Sequence, residues 1–227
     1  MRTPFILVCF KTELSAFGGK ALELAKICES VSDRHGVEIA VSPHVLDIRM
    51  IAENTAVPVF AQYFDPVESG KHTGRIPPEN LKLAGAAGVI INHSEMPLGV
   101  DGIRERVDFA RNHGLTSVVC CRSPGLARDF AGMGPNFISY EPPECIGSTT
   151  VSVSTAKAEA LKRSVDAVAA ANPDVKVACG AGVRTPEDVR IALKLGAKGF
   201  LVSTAVVKSK NPRSVMEGFC KTIMKFG

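Results

Sequence analysis

Eight short apolar runs punctuate this chain at regular intervals, and their spacing restricts its fold more than any other feature. They are Phe5–Phe10, Val37–Val41, Val59–Gln62, Gly88–Ile91, Thr116–Cys120, Phe137–Tyr140, Val175–Cys179 and Gly199–Val202. Each is apolar at most positions rather than at alternate ones, which is the pattern of parallel strands buried on both faces. Segments of helical period lie between them: Ala16–Arg34, Val45–Asn54, Pro78–Ala84, Ile103–His113, Pro124–Ala131, Thr155–Asn172, a helix opening at Thr185-Pro186-Glu187-Asp188, and Ser214–Met224. Thr185 is placed to cap its helix, with proline at the first position and acids in the first turn. His35-Gly36, His113-Gly114, Asn172-Pro173 and Leu195-Gly196-Ala197 read as stop signals before the next strand.

Strand followed by helix, eight times, with no low-complexity linker, predicts an α/β chain closed into a single-domain (β/α)8 barrel over residues 1–227. An open doubly wound sheet is the alternative. It is disfavoured because no Gly-x-Gly-x-x-Gly follows the first strand. At 227 residues and 45% hydrophobic content, the chain has the material for one such core.

Charge and composition remove several function classes. The net charge of +4 comes from scattered lysines and arginines, and with two tyrosines and no tryptophan there is little to stack on bases, so no nucleic-acid partner is expected. No apolar run has the length of a membrane span, and the opening Met1-Arg2-Thr3-Pro4-Phe5 leads into an apolar run too short for a signal peptide core. No membrane partner and a soluble cytoplasmic protein are therefore expected. Seven cysteines without paired spacing argue against a disulfide framework, and Cys120-Cys121 should point to opposite faces of their strand. The histidines and acids show no metal-ligand spacing, so no metal is expected.

In such a barrel the chemistry lies at the C-terminal strand ends. Strand one ends in Cys9-Phe10-Lys11, with Cys9 and Lys11 on one side; strand three ends in Gln62; strand four runs into Asn92-His93-Ser94-Glu95. Glu141 follows strand six and precedes two prolines, as a carboxylate held at the hinge of a movable loop. Gly180-Ala181-Gly182 and Ser203-Thr204-Ala205 follow strands seven and eight, where backbone N–H groups commonly hold phosphate. Taken singly, a lysine, a histidine or a glycine here reads as an ordinary strand-end residue. Their joint occurrence at five strand tips points to a catalytic mouth. His35, His44 and His113 show no partner pattern, and His72 is assigned to an interface rather than to a ligand.

Phe10-Lys11-Thr12, Phe60-Ala61-Gln62, His72-Thr73-Gly74, Asn92-His93-Ser94-Glu95, Glu141-Pro142-Pro143-Glu144, Ile146-Gly147, Cys179-Gly180-Ala181-Gly182 and Gly199-Phe200-Leu201-Val202 occur in this order. Together they make the chain resemble the triosephosphate isomerase family, in its short archaeal form, from first strand to last. The resemblance implies a TIM barrel that interconverts glyceraldehyde 3-phosphate and dihydroxyacetone phosphate without a cofactor. It implies Glu141 as base, His93 as electrophile, Lys11 as the cation beside substrate and Glu95 as a supporting carboxylate. Backbone groups of Ile146, Gly182, Ser203 and Thr204 would hold the phosphate, with Gly147 beside them, under a lid from Pro142 to about Thr150.

The resemblance also implies a homo-oligomer, dimer or tetramer with the tetramer favoured, in which the Lys71-His72-Thr73-Gly74 loop enters a neighbouring subunit. The loop-rich Asp65–Pro78 segment is long for a barrel connection. Two departures stand out. Cys9 takes the place of the family asparagine, and a thiol is a weaker donor to a substrate oxygen than an amide. The stretch after Gly147 lacks the second glycine usual in this lid. Another phosphate-binding barrel of aldolase or synthase type is the enzymatic alternative, and a non-catalytic barrel, argued from Cys9 alone, is the other.

Overall fold

The computed structural model describes residues 1–146 and 153–226, apart from the side chains of residues 154 and 155. All eight expected strands form: β1 Phe5–Cys9, β2 Glu38–Ser42, β3 Val59–Ala61, β4 Ala86–Ile91, β5 Thr116–Cys121, β6 Phe137–Tyr140, β7 Lys176–Cys179 and β8 Gly199–Val202. They pair in sequence order into a closed parallel barrel, with β8 returning to β1 from Phe5↔Gly199 to Val8↔Val202. The (β/α)8 single-domain expectation holds, and the open-sheet alternative falls with that last pairing.

Alternation along the strands sorts the core into two shells. Phe5, Leu7, Cys9, Ala40, Phe60, Ile90, Val118, Cys120, Phe137, Ala178 and Leu201 fill the barrel interior. Their neighbours Ile6, Val8, Phe10, Ile39, Val41, Val119, Cys121, Ile138 and Cys179 face the surrounding helices. Cys120 and Cys121 thus part to opposite faces, as do Cys9 and Phe10. All seven cysteines are free and buried.

The outer layer comprises α1 Gly19–His35, α2 Ile48–Asn54, α3 Pro78–Leu83, α4 Val100–Asn112, α5 Pro124–Ala131, α6 Val153–Ala156, α7 Ala158–Ala171, α8 Pro186–Lys194, α9 Thr204–Val207 and α10 Pro212–Phe226. Several details differ from the periodicity, among them a fourth helix that starts three residues early, at Val100. The first helix begins at Gly19 because Gly18 turns the chain at φ +59°, which leaves Leu14–Ala16 as a separate 3-10 turn. The second begins with a 3-10 turn, Val45–Asp47, before α2. The long alanine-rich segment divides at Lys157 into α6 and α7. The one-turn α9 was hidden in what reads as a small-residue turn.

The cap at Thr185 forms as expected: its Oγ1 accepts from the Asp188 N–H at 3.2 Å, and Asp188 Oδ2 accepts the Thr185 N–H at 2.9 Å. Asp188 also accepts the Arg184 N–H at 3.1 Å, so the cap fixes the end of the Gly180–Arg184 loop. Among the described residues, no helix is long and apolar enough to cross a membrane.

Candidate active site

The mouth of the barrel is built on two strained strand ends. Lys11 follows β1 at φ +52° and Asn92 follows β4 at φ +61°, a left-handed backbone that non-glycine residues adopt only where surroundings impose it. The surroundings are visible. Gln62 Nε2 donates to the carbonyls of Lys11 and Ser42, both at 3.0 Å, clamping the end of β1 against β2 and β3. Asn92 Nδ2 donates to the Cys120 carbonyl while its Oδ1 accepts the Leu98 N–H, both at 2.9 Å, which shapes the turn carrying His93 and Glu95.

Four ionisable side chains gather at the mouth. Lys11 Nζ pairs with Glu95 Oε1 at 2.5 Å. His93 Nε2 stands 3.7 Å from Glu141 Oε2. At the other side of the ring, Nδ1 accepts the backbone N–H of Glu95 at 3.2 Å, whereas the Glu95 carboxylate lies 3.7 Å from that nitrogen, beyond hydrogen-bond reach. A nitrogen that accepts an amide proton carries none of its own. The geometry therefore selects the neutral tautomer with its proton on Nε2, aimed into the cleft.

Glu141 is only 3% exposed. Desolvation pushes its carboxyl above the ordinary glutamate value, while hydrogen bonds from Ser139 and Cys120 and the Lys11 charge pull it back only in part. The Ser139 hydroxyl donates to Oε1 at 2.7 Å. Gly180 makes the space: a Cβ there would lie 2.5 Å from Oε1 and collide with Ser139 Oγ. Burial also drives the Cys9 thiol up to about 11, so Cys9 remains a protonated thiol beside Lys11.

A cleft of about 240 Å³ joins these groups, lined by Cys9, Lys11, His93, Glu141, Ile146, Gly182, Ser203 and Thr204. Ala181 and Arg184 complete its wall near the β7 end. Gly182 takes φ +67°, and Ser203 precedes the first turn of α9, whose leading N–H groups have no intrahelical acceptor. Glu95 stands back from the cleft and acts on it through Lys11 and His93. Gly147, the lid tip and the segment Ser148-Thr149-Thr150-Val151 lie outside the described residues. The sequence alone did not single out Ser139 or Cys120 as site-shaping groups, whereas Gln62 was expected at the end of strand three. Counting back two residues from Glu141 would have found Ser139, since a strand repeats its faces with that period.

The arrangement can take a proton from carbon, donate to an adjacent oxygen and neutralise an anion. A family profile described as triosephosphate isomerase matches residues 4–224 of this chain. The chain belongs to the triosephosphate isomerase family. The triosephosphate isomerase of Methanosarcina barkeri is 42% identical over 223 residues, covering 98% of this chain and 100% of that one. The triosephosphate isomerase of Methanocaldococcus jannaschii is 41% identical over 218 residues, 96% of this chain and 99% of that one. That of Pyrobaculum calidifontis is 40% identical over all of this chain and 99% of its own. These three matches run nearly end to end on both chains. The crystal structure of triosephosphate isomerase from Bartonella henselae superposes with a TM-score of 0.75 over 96% of this chain and 98% of that chain, at 20% identity, and speaks for the fold alone.

Proposed function

We propose that this protein interconverts D-glyceraldehyde 3-phosphate and dihydroxyacetone phosphate through an enediolate, with Glu141 as the base. The observation that carries the reading is the relation of three groups at one mouth: a buried carboxylate, a neutral imidazole whose Nε2 is 3.7 Å from it, and a lysine ammonium in the same cleft. Glu141 Oε2 takes the proton from the carbon next to the carbonyl and returns it to the neighbouring carbon. His93 Nε2–H donates to the carbonyl oxygen as it becomes an enediolate oxygen, and the hydroxyl proton of the neighbouring carbon passes by way of Nε2 to that oxygen, so that hydroxyl and carbonyl exchange places. Lys11 balances the negative charge of substrate and transition state, and Glu95 holds its ammonium in place. Backbone N–H groups of Ile146, Gly147, Gly182, Ser203 and Thr204 receive the phosphate. Closure of the lid over these groups excludes water and protects the enediolate from losing phosphate. Cys9 lines the cleft as a weak donor and lowers efficiency without abolishing it.

An aldolase reading asks for a Schiff-base lysine. The lysine lining the described cleft is Lys11, held by Glu95, and that reading leaves Glu141 and the neutral His93 without a task. We further propose a cytoplasmic homo-oligomer, tetramer before dimer. Leu14, Phe17, Leu46 and Met96 are exposed on the loops after β1, β2 and β4, and the Lys71–Gly74 loop is exposed as well. Such an apolar surface suits a subunit contact. Free buried thiols suit a reducing compartment.

A coupled assay on both triose phosphates tests the activity, with the subunit number read by light scattering on the same sample. Folded wild-type protein that turns over neither substrate overturns the reading.

A further inference from the structure

Ser139 and Cys120 are cross-strand partners in the β5–β6 ladder, and both project into the barrel beneath Glu141. We propose that Ser139, seconded by Cys120, is a positioning residue for Glu141: its hydroxyl fixes Oε1 so that Oε2 faces His93 and the cleft. The inference rests on Glu141 being the base and adds what holds and poises it.

Three observations carry it. First, Ser139 is fully buried in a shell that is otherwise almost wholly apolar, and a buried hydroxyl is costly unless it is hydrogen-bonded. Alanine would fill the same strand position without that cost. Second, the bond goes to one carboxylate oxygen only, at 2.7 Å, while the other oxygen is the one near His93 Nε2. Third, Gly180 on the adjacent strand end leaves no atom between the hydroxyl and the carboxylate; a Cβ would strike both residues. Oxygen and thiol donors of this kind bind a carboxylate more strongly than the acid formed when it accepts a proton. Desolvation favours the acid, and Ser139 and Cys120 oppose it. The pair thus favours the carboxylate in a place where burial favours the acid. Because the donors sit on the interior side, the proton from substrate arrives on Oε2 and leaves from there.

The test is the pH profile of Ser139→Ala and Ser139→Cys beside wild type, together with an infrared titration of the Glu141 carboxyl band, assigned by its loss in Glu141→Gln. Removing the hydroxyl should move the acid limb of kcat/KM to higher pH, with Ser139→Cys between. Near pH 6 the alanine variant should then lose roughly tenfold, and near pH 9 no more than about twofold. The infrared titration should move in the same direction and order. A loss uniform across pH with an unmoved carboxyl titration, in a wild type that does isomerise triose phosphates, overturns the role of Ser139 alone. A folded wild type inactive at every pH instead overturns the assignment of Glu141 as base.

Discussion

Cys9 on β1 stands in register with Ser42 on β2, and both side chains face the barrel interior, where Ser42 Oγ has no hydrogen-bond partner among the described residues. A buried hydroxyl left unpaired beside a thiol marks the spot where the family asparagine would set an amide. An amide can accept from Ser42 and donate toward the cleft at once, whereas the protonated thiol does both poorly. Cys9→Asn should therefore raise kcat/KM, on the order of tenfold, with most of the gain in substrate affinity or turnover rather than in stability. Steady-state kinetics of the variant decide the matter, and an unchanged or lower kcat/KM sinks the idea.

Glu141 carries a cost that activity requires. Burial raises its carboxyl above the ordinary glutamate value, so the fold favours the neutral acid. Its contribution to stability is complete below the unfolded-state value and is lost as pH rises through the folded one. Glu141→Gln removes this penalty. We expect a thermal midpoint higher at pH 8, by roughly 2–4 °C for each kcal/mol relieved, and a gap between variant and wild type that narrows in acid. The same variant should lose activity by about 10²–10⁴-fold. Calorimetry and the coupled assay on one preparation test both halves. A variant less stable than wild type, or one keeping most of its activity, contradicts the prediction.

The barrel was legible because its strands are apolar on both faces and so stand out as runs; every strand end lies within two residues of its expected place. Lys11, His93 and Glu141 were legible as ionisable groups at strand tips. What eluded the sequence was whatever depends on direction in space. Ser139 reads as one more small residue in Phe137–Tyr140; the strand period sets it on the face of Glu141, but only the β5–β6 register sets it beside Cys120. The orphan at Ser42 becomes visible only once β1 and β2 are paired. Short elements fail for another reason: α9 has a single turn, too few residues for a period to emerge.

Asp65 organises the long loop after β3. Its carboxylate accepts the Ile76 N–H at 2.9 Å, the Arg75 guanidinium at 2.8 Å and the Tyr63 hydroxyl at 2.9 Å, and the Tyr63 ring lies against the Arg106 guanidinium, 5.3 Å from the ring centre. Desolvation pushes Asp65 up, but the Ile76, Arg75 and Tyr63 bonds together overcome it and hold the carboxyl below the ordinary aspartate value. Stability from these bonds is present above the unfolded-state value and is lost as pH falls through the folded one. Asp65→Asn should cost about 1–3 kcal/mol at neutral pH and flatten the acid limb of stability below about pH 4. Urea unfolding at neutral and acid pH checks it. Parallel acid limbs in variant and wild type would remove Asp65 from the account.

Gly180 is the residue on which the geometry of the base depends most directly. It follows β7 with its N–H donated to the Tyr140 carbonyl at 3.0 Å, which stitches the ends of β6 and β7 together just below Glu141. A methyl group at this position would meet Ser139 Oγ, Glu141 Cγ and Glu141 Oε1 at once. None of the three can retreat far, since Ser139 and Glu141 are both buried and the backbone of Glu141 donates to the Cys121 carbonyl at 2.7 Å. Gly180→Ala should therefore cost about 1–3 kcal/mol through overpacking. Activity should fall further than that loss explains, by roughly a hundredfold, because a displacement near 1 Å takes the carboxylate out of line with His93. Unfolding midpoints and kcat/KM measured together separate the two effects. A Gly180→Ala enzyme with near-normal turnover would mean that Glu141 reaches its substrate from another position than the one seen between Ser139 and His93.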